Sequence, residues 1–434
     1  MKKILAVILS VVMVLTLLAA CGNNNGTAAM PTEDGASAQG GTQWKRFNKT
    51  AVTTETVATA ANGCSITVAP VEYLDDSIAF DMVFENPTDM TVVFDLDSVA
   101  VNKVMMDDYT YTTIEPGESY ETTLTFYMDD LRLRGVFFLA SLEGECVLSD
   151  DENWEELERL TFTIESDKVG EFEMDTSAFY NAVNSTGARR DLGFTLLDAQ
   201  QTQTDVGNGM TLITTGAMAY GDTANNYFFM EFYNDSDETA YVDWYVTELN
   251  GLEMGANPDW GDVLPGCRFV LFWQTEYQVS ETMRQAFGIE SVVNYRYKIE
   301  TTDGEYNNSV ETEGFYEIPG SEATLDMTAE VLYDDGDVKI SAKEVVESEW
   351  GYSYIYLIVE SDEEAYVTCN SDEIEVDGSA GYIWCGLSSW LDEGEMEIES
   401  IEIENLDADS ITLPVEITTY DEYDVVAVDL VIYF

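Results

Sequence analysis

The chain has 434 residues, with 84 Asp and Glu against 18 Lys and Arg, no histidine, and a formal charge of −66 at pH 7. That charge repels nucleic acid phosphates and anionic lipid alike, so neither is an expected partner, and solubility in a crowded or salty exterior accounts for it. The missing histidine removes the commonest general base and the commonest metal ligand. No catalytic residue, metal ligand set or cofactor is therefore expected.

At the N-terminus, Lys2 and Lys3 precede an apolar run over 4–18 broken only by Ser10 and Thr16, the charged-then-apolar layout of a secretion signal. The run is about 15 residues, shorter than the roughly 20 that a spanning helix needs. It ends in Leu18-Ala19-Ala20-Cys21-Gly22, which resembles the bacterial lipobox. The resemblance implies cleavage before Cys21 and a lipid on its thiol. Two or more acyl chains anchor a protein stably, so the chain is expected at the cell membrane, facing its exterior. Residues 1–20 are read as a lipoprotein signal peptide and 21–44 as a lipidated flexible tether. The tether is rich in Gly, Ala, Ser and Thr, too poor in large apolar residues to pack a core. About 20 such residues span roughly 25 Å.

Beyond the tether, 25 Tyr, 19 Phe and 8 Trp are ample for packed cores, and the length predicts about two to four domains. Self-comparison shows three copies of one pattern. Asn62-Gly63, Asn208-Gly209 and Asp335-Gly336 each precede an alternating strand, over 65–69, 211–215 and 338–342; such pairs accept the positive φ of two-residue hairpin turns. Apolar, aromatic-rich strands follow over 77–84, 227–232 and 352–359, each leading into a polar turn that contains Asn86, Asn234 or Ser361. From there the copies run without a gap: Asn102, Asn250 and Asp377 each fall 16 residues later. A second turn at Pro116-Gly117, Pro265-Gly266 and Glu393-Gly394 opens a further strand, and a terminal strand pair closes each copy.

Short strands separated by turn signals predict β-sandwiches. Helix is expected over 280–287, capped by Ser280 and stopped at Gly288, and as a short piece over 153–160. Arg189-Arg190 is read as an exposed linker, open to proteases. Besides Cys21 there are Cys64, Cys146, Cys267, Cys369 and Cys385, none in a C-x-x-C motif, and five cannot all pair within one chain. Cys369 and Cys385 flank a turn signal at Asp377-Gly378, which leaves two readings open, a cross-strand bridge and free buried thiols.

These repeats resemble the immunoglobulin-like domains of bacterial cell-envelope lipoproteins, in which an acidic Asn-containing turn and a later Asn-Gly or Asp-Gly turn recur. The resemblance implies an all-β chain of three tandem immunoglobulin-like β-sandwich domains, over 45–183, 191–320 and 321–434. It transfers no catalytic or binding residue. With 84 acids, carboxylate pairs of the glycosidase kind arise by chance. The loops 334–337 and 405–416 match calcium loops only loosely and read as surface turns. Trp260, expected in a loop over 257–261, is the tryptophan singled out for ligand binding, with Trp350 second; Trp244, Trp273 and Trp384 are expected in packing. The sequence thus points to a noncatalytic, membrane-anchored surface protein that binds or supports an envelope or extracellular protein or glycan. The alternative is a transport-associated solute-binding lipoprotein, which calls for alternating strand and helix over two lobes.

Overall fold

A computed structural model describes residues 44–434 apart from 222–225, 304–307, 349, 382, 405, 407 and 421–423. The signal, Cys21 and the tether up to residue 43 lie outside the described residues, as do Asn405 and Asp407 of the loose calcium pattern. The chain is nearly all β and forms β-sandwiches.

One strand order recurs three times. In the first repeat, Thr56–Thr59, Ser65–Val68, Ser77–Glu85 and Ser119–Tyr127 lie side by side. Thr195–Gly207, Met210–Ala219, Asn226–Asn234 and Arg268–Gln274 do the same in the second, and Glu330–Asp334, Val338–Ala342, Tyr352–Ser361 and Met396–Glu404 in the third. The facing sheets are also equivalent. Val92–Val101, Ser141–Asp150 and Glu156–Glu165 match Ala240–Leu249, Asn294–Asp303 and Val310–Glu317, and then Ala365–Cys369, Ser410–Thr419 and Asp424–Tyr433. Successive side chains in a strand point to opposite faces, and the sequence follows that period. Ile78, Phe80, Met82 and Phe84 enter the first core, and Leu160, Phe162 and Ile164 alternate with exposed Thr161, Thr163 and Glu165.

The recurring turn residues are internal clamps. Asn86 donates to the carbonyls of Met90 and Ile114, both at 2.8 Å, and accepts from the Thr88 amide at 3.1 Å. Asn234 repeats this with Glu238 and Val263, at 2.8 and 2.7 Å, and the Ser236 amide at 2.9 Å. Ser361 in the third repeat keeps a shorter version, donating to the Glu363 carbonyl at 2.6 Å. Each of the three also accepts, through its backbone carbonyl, the amide of the positive-φ glycine in the second turn: Gly117, Gly266 or Gly394. The residues 16 positions on sit at φ 51°, 51° and 49°. The side-chain Oδ1 of Asn102 accepts the amides of Ala140 and Ser141, that of Asn250 accepts those of Val293 and Asn294, and the Asp377 carboxylate accepts those of Asp409 and Ser410. Asn and Asp tolerate this backbone region better than other side chains, and buried amides need partners.

The first two repeats share a sheet. Val104–Met106 pairs in parallel with Arg268–Gln274 through Arg268 and Val104, so strands of both repeats form one nine-stranded sheet. Buried charge fixes this seam. Arg134, 2% exposed, donates to the Val270 carbonyl at 3.0 Å and to Asp107 at 2.8 Å, and also bonds Asp130. Arg268 donates to Glu231 at 2.5 Å and to the Arg134 carbonyl at 3.1 Å. Burial pushes the Glu231 carboxyl above its usual range while Arg268 pulls it back. Both faces of Met210–Ala219 are covered, one by Trp244 and Tyr295 of the facing sheet, the other by Phe179 and Val183.

Two local expectations change. Residues 153–160 are not helical: Ser141–Asp150 and Glu156–Glu165 form a hairpin whose Asp150 side chain accepts the Glu152 amide, leaving no room for a helical turn. Arg189-Arg190 is not an open linker either. It lies in the helix Thr186–Leu192, capped by Ser185 and Gly193, beside the helix Ala178–Asn184. Phe179, Val183 and Ala188 are fully buried there, so the connection between repeats is packed. The helix Glu281–Phe287 has the expected Ser280 cap and a left-handed Gly288. It carries Phe287 against Tyr356 of the third repeat, with ring centroids 5.7 Å apart.

Candidate functional site

The second sheet of the second repeat turns one face to its core and one outward. Along Ala240–Leu249 the alternation sends Ala240, Val242, Trp244 and Val246 inward and leaves Tyr241, Asp243 and Tyr245 on the outer face. Register then places Asp243 between Trp260 on one neighbouring strand and Glu300 on the other. Cross-strand neighbours of this kind have Cβ atoms about 4.5–5.5 Å apart. Trp260 is 54% exposed, its ring 5.9 Å from that of Tyr241.

Asp243 is unusual for a carboxylate on a sheet face, being 6% exposed. Tyr245 donates to its Oδ2 at 2.6 Å and Tyr241 lies at 3.4 Å, while Oδ1 is buried and accepts no hydrogen bond of normal geometry. Burial raises the Asp243 carboxyl above its ordinary value; Tyr245, Asn257 and Tyr241 act against that. The bond to Asp243 in turn raises the Tyr245 phenol, with burial second. Irregular pairing at Val246 opens the ladder here. The result is a shallow cavity of about 460 Å³ lined by Tyr245, Asn257, Lys298 and Glu300 among others. Lys298 is held by Glu311 at 2.5 Å. Flat ring faces beside hydrogen-bonding oxygens suit a ligand that is itself apolar on one face and hydroxylated at its edge.

Trp260 lies on the strand Leu252–Val263 rather than in a loop. That strand is an edge of its sheet, where Pro258 needs no ladder partner. Trp350 is 79% exposed, and Trp244 and Trp273 are buried as expected. Trp384 is not a packing residue. It is 57% exposed, because the inward position of the two-residue strand Trp384–Cys385 belongs to Cys385. In the loop 334–337, the carboxylates of Asp334 and Asp335 accept amides of their own turn. Among the described residues there is no cluster of three or more metal-ligating side chains.

Sequence reasoning missed a counterpart in the first repeat. Asp95 follows Asn86 by nine residues, as Asp243 follows Asn234, and its cross-strand partner is Tyr111, at the position of Trp260. Tyr109, Tyr111 and Trp154 form a run of exposed, nearly parallel rings with centroids 6.4 Å apart at each step. Trp154 adopts φ +59°, which is uncommon for a bulky residue and marks a position held by its surroundings. The signal was the repeat spacing itself, carried nine residues past the clamp. In the third repeat that position is Asn370, an N-cap.

No protein family's sequence profile matches the chain, and no curated protein does. Among solved structures it is similar to red sea bream transglutaminase, at 8% identity and TM-score 0.15, over 62% of this chain and 37% of that one, so it spans little more than a third of that enzyme. It is also similar to the exo-chitosanase of Amycolatopsis orientalis, at 6% identity and TM-score 0.15, over 87% of this chain and 78% of that one. Likenesses that slight carry no argument about activity.

Proposed function

We propose that the chain is an exported lipoprotein, anchored through a lipid on Cys21, that binds an envelope or extracellular glycan or protein without transforming it. A glycan is the favoured occupant. The anchor rests on the lipobox resemblance. The binding reading rests above all on the Trp260–Tyr241 ring pair beside the buried, partly unsatisfied Asp243. Sugar rings present an axial C–H face and a hydroxyl edge, which fits an exposed indole flanked by acceptors. The equivalent placement of Asp95 with Tyr111 and Trp154 supports two binding faces on one chain.

The test is affinity electrophoresis and calorimetry against a panel of wall and extracellular polysaccharides, with protein ligands from the same sources. Trp260→Ala is expected to weaken binding at this face roughly 30-fold, the effect of losing an aromatic hot spot worth about 2 kcal/mol, while the first-repeat face still binds. Trp350→Ala, which removes a still more exposed indole in the third repeat, leaves binding unchanged. Equal effects of the two substitutions refute this face as the site. For the anchor, metabolic labelling with a fatty acid is expected to mark the chain and to fail with Cys21→Ala.

A further inference from the structure

We propose that Cys369 and Cys385 form a modification site, a thiol pair that becomes a disulfide between the two sheets of the third repeat on exchange with a disulfide-bearing donor. Cys369 ends the strand Ala365–Cys369, across from Val415 in one sheet; Cys385 ends Trp384–Cys385, across from Ile401 in the other. They are not neighbours on one ladder, so the cross-strand reading of the sequence does not apply, although the hairpin at Asp377-Gly378 is present. The chain crosses between the sheets at Gly386-Leu387. At that crossing the Cys369 amide donates to the Leu387 carbonyl at 3.1 Å, which brings the end of one strand against the end of the other. Cys385 lies inside the core of this repeat and Cys369 packs against the same core.

Cys64, Cys146 and Cys267 are fully buried in other parts of the molecule, Cys64 against the Asn86 side chain at 3.7 Å and Cys267 against the Pro265 carbonyl at 3.8 Å. Cys369 by contrast is half-buried and Cys385 is 8% exposed. Donation from the Cys369 thiol holds the Cys385 thiol below its ordinary pKa, with burial opposing and the Leu387 amide assisting. A thiolate is the nucleophile in exchange. The Cys385 thiolate attacks one sulfur of the donor disulfide, forming a mixed disulfide and releasing one donor thiolate. Cys369 then gives its proton to solvent, attacks the Cys385 sulfur and expels the second donor thiolate. Two protein thiols and one donor disulfide become one protein disulfide and two donor thiols. The proposal is independent of the glycan-binding reading, since no ligand enters it.

The experiment incubates the folded full chain with oxidised glutathione, blocks remaining thiols with an alkylating agent under denaturing conditions, and maps peptides by mass spectrometry. The expected result is a linked peptide joining Cys369 to Cys385, no retained glutathione, and alkylated Cys64, Cys146 and Cys267. Cys369→Ser is expected to stop at the glutathione adduct on Cys385. Stable glutathione on both cysteines in the unaltered chain, linkage to any other cysteine, or full alkylation of all five overturns the proposal. The wild-type map alone decides it should the variant fail to fold.

Discussion

Replacing Asn234 with Ala removes a clamp whose worth can be worked out bond by bond. The side chain is fully buried and makes two donations and two acceptances. After truncation the Glu238 carbonyl keeps the Ser236 hydroxyl at 2.8 Å, but the carbonyl of fully buried Val263 and the Ser236 amide lose the bonds that Asn234 made. Each buried group left unsatisfied costs about 1–3 kcal/mol, giving about 3 kcal/mol in all. Ser361→Ala in the third repeat is the internal comparison. Its good bond is to the Glu363 carbonyl, and its other carbonyl contact is at the 3.5 Å limit, so about 1 kcal/mol is expected. A chain of several sandwiches is not a two-state unit, so the readout is amide exchange resolved by peptide rather than one melting point. Exchange in Asn226–Asn234 and Arg268–Gln274 should accelerate roughly a hundredfold with Asn234→Ala, and in Tyr352–Ser361 about fivefold with Ser361→Ala. Asn234→Ser should recover part of the loss, because it copies the third repeat. Equal acceleration by the two Ala substitutions would refute the clamp argument.

Arg134→Lys should loosen the shared sheet almost as much as Arg134→Ala, by about 3 kcal/mol, because an ammonium cannot reproduce the planar fork that reaches Val270, Asp107 and Asp130 together; faster exchange across Val104–Met106 and Arg268–Gln274 reports it. The same seam should respond to pH. Asp259 has its carboxyl pushed up to about 8, first by burial and then by Asp107; the residue keeps some solvent contact, but the carboxylate's own packed surroundings govern its titration. A folded value above the unfolded one of about 3.9 means that the contribution is fully present below pH 4 and is lost as pH rises towards 8. Protection factors at the seam, taken relative to the intrinsic exchange rate at each pH, should therefore fall over that window, and Asp259→Asn should flatten the profile. Trp154→Ala should weaken binding at the first-repeat face while leaving an isolated Trp260 contact intact, read as a halved stoichiometry in the calorimeter.

Much of the architecture is legible in the residues because it depends on neighbours in sequence. Period-two burial in Ser77–Glu85, the Gly turns, and the Ser280 and Gly288 ends of a helix each follow from local chemistry. The failures that matter most for the packing involve distant partners. Nothing near Val104 signals that Arg268 will pair with it, since that contact depends on Arg134 reaching Val270 from another repeat. The chain around Arg189-Arg190 looks like a linker by composition, yet Phe179 and Val183 find a covered sheet face that only the joined repeats provide. Trp384 reads as a core residue until a two-residue strand gives its inward position to Cys385.

The same distinction separates scaffold from site. Asn86, Asn234, Asn102 and Asn250 recur because the sandwich needs them inside, where each donates to backbone carbonyls and accepts backbone amides of its own repeat. What a repeat can offer outward must come from positions outside the clamps, and the ninth residue after the first clamp is one of these. It is Asp in the two repeats that add exposed rings beside it, and Asn, turned to capping its own backbone, in the one that does not. The third repeat also has the weaker clamp, Ser361, and the thiol pair that can tie its sheets. If both proposals hold, labour is divided: the first and second repeats, joined by one sheet, carry the two faces, and the third, with its weaker clamp, is the repeat that a disulfide would tie.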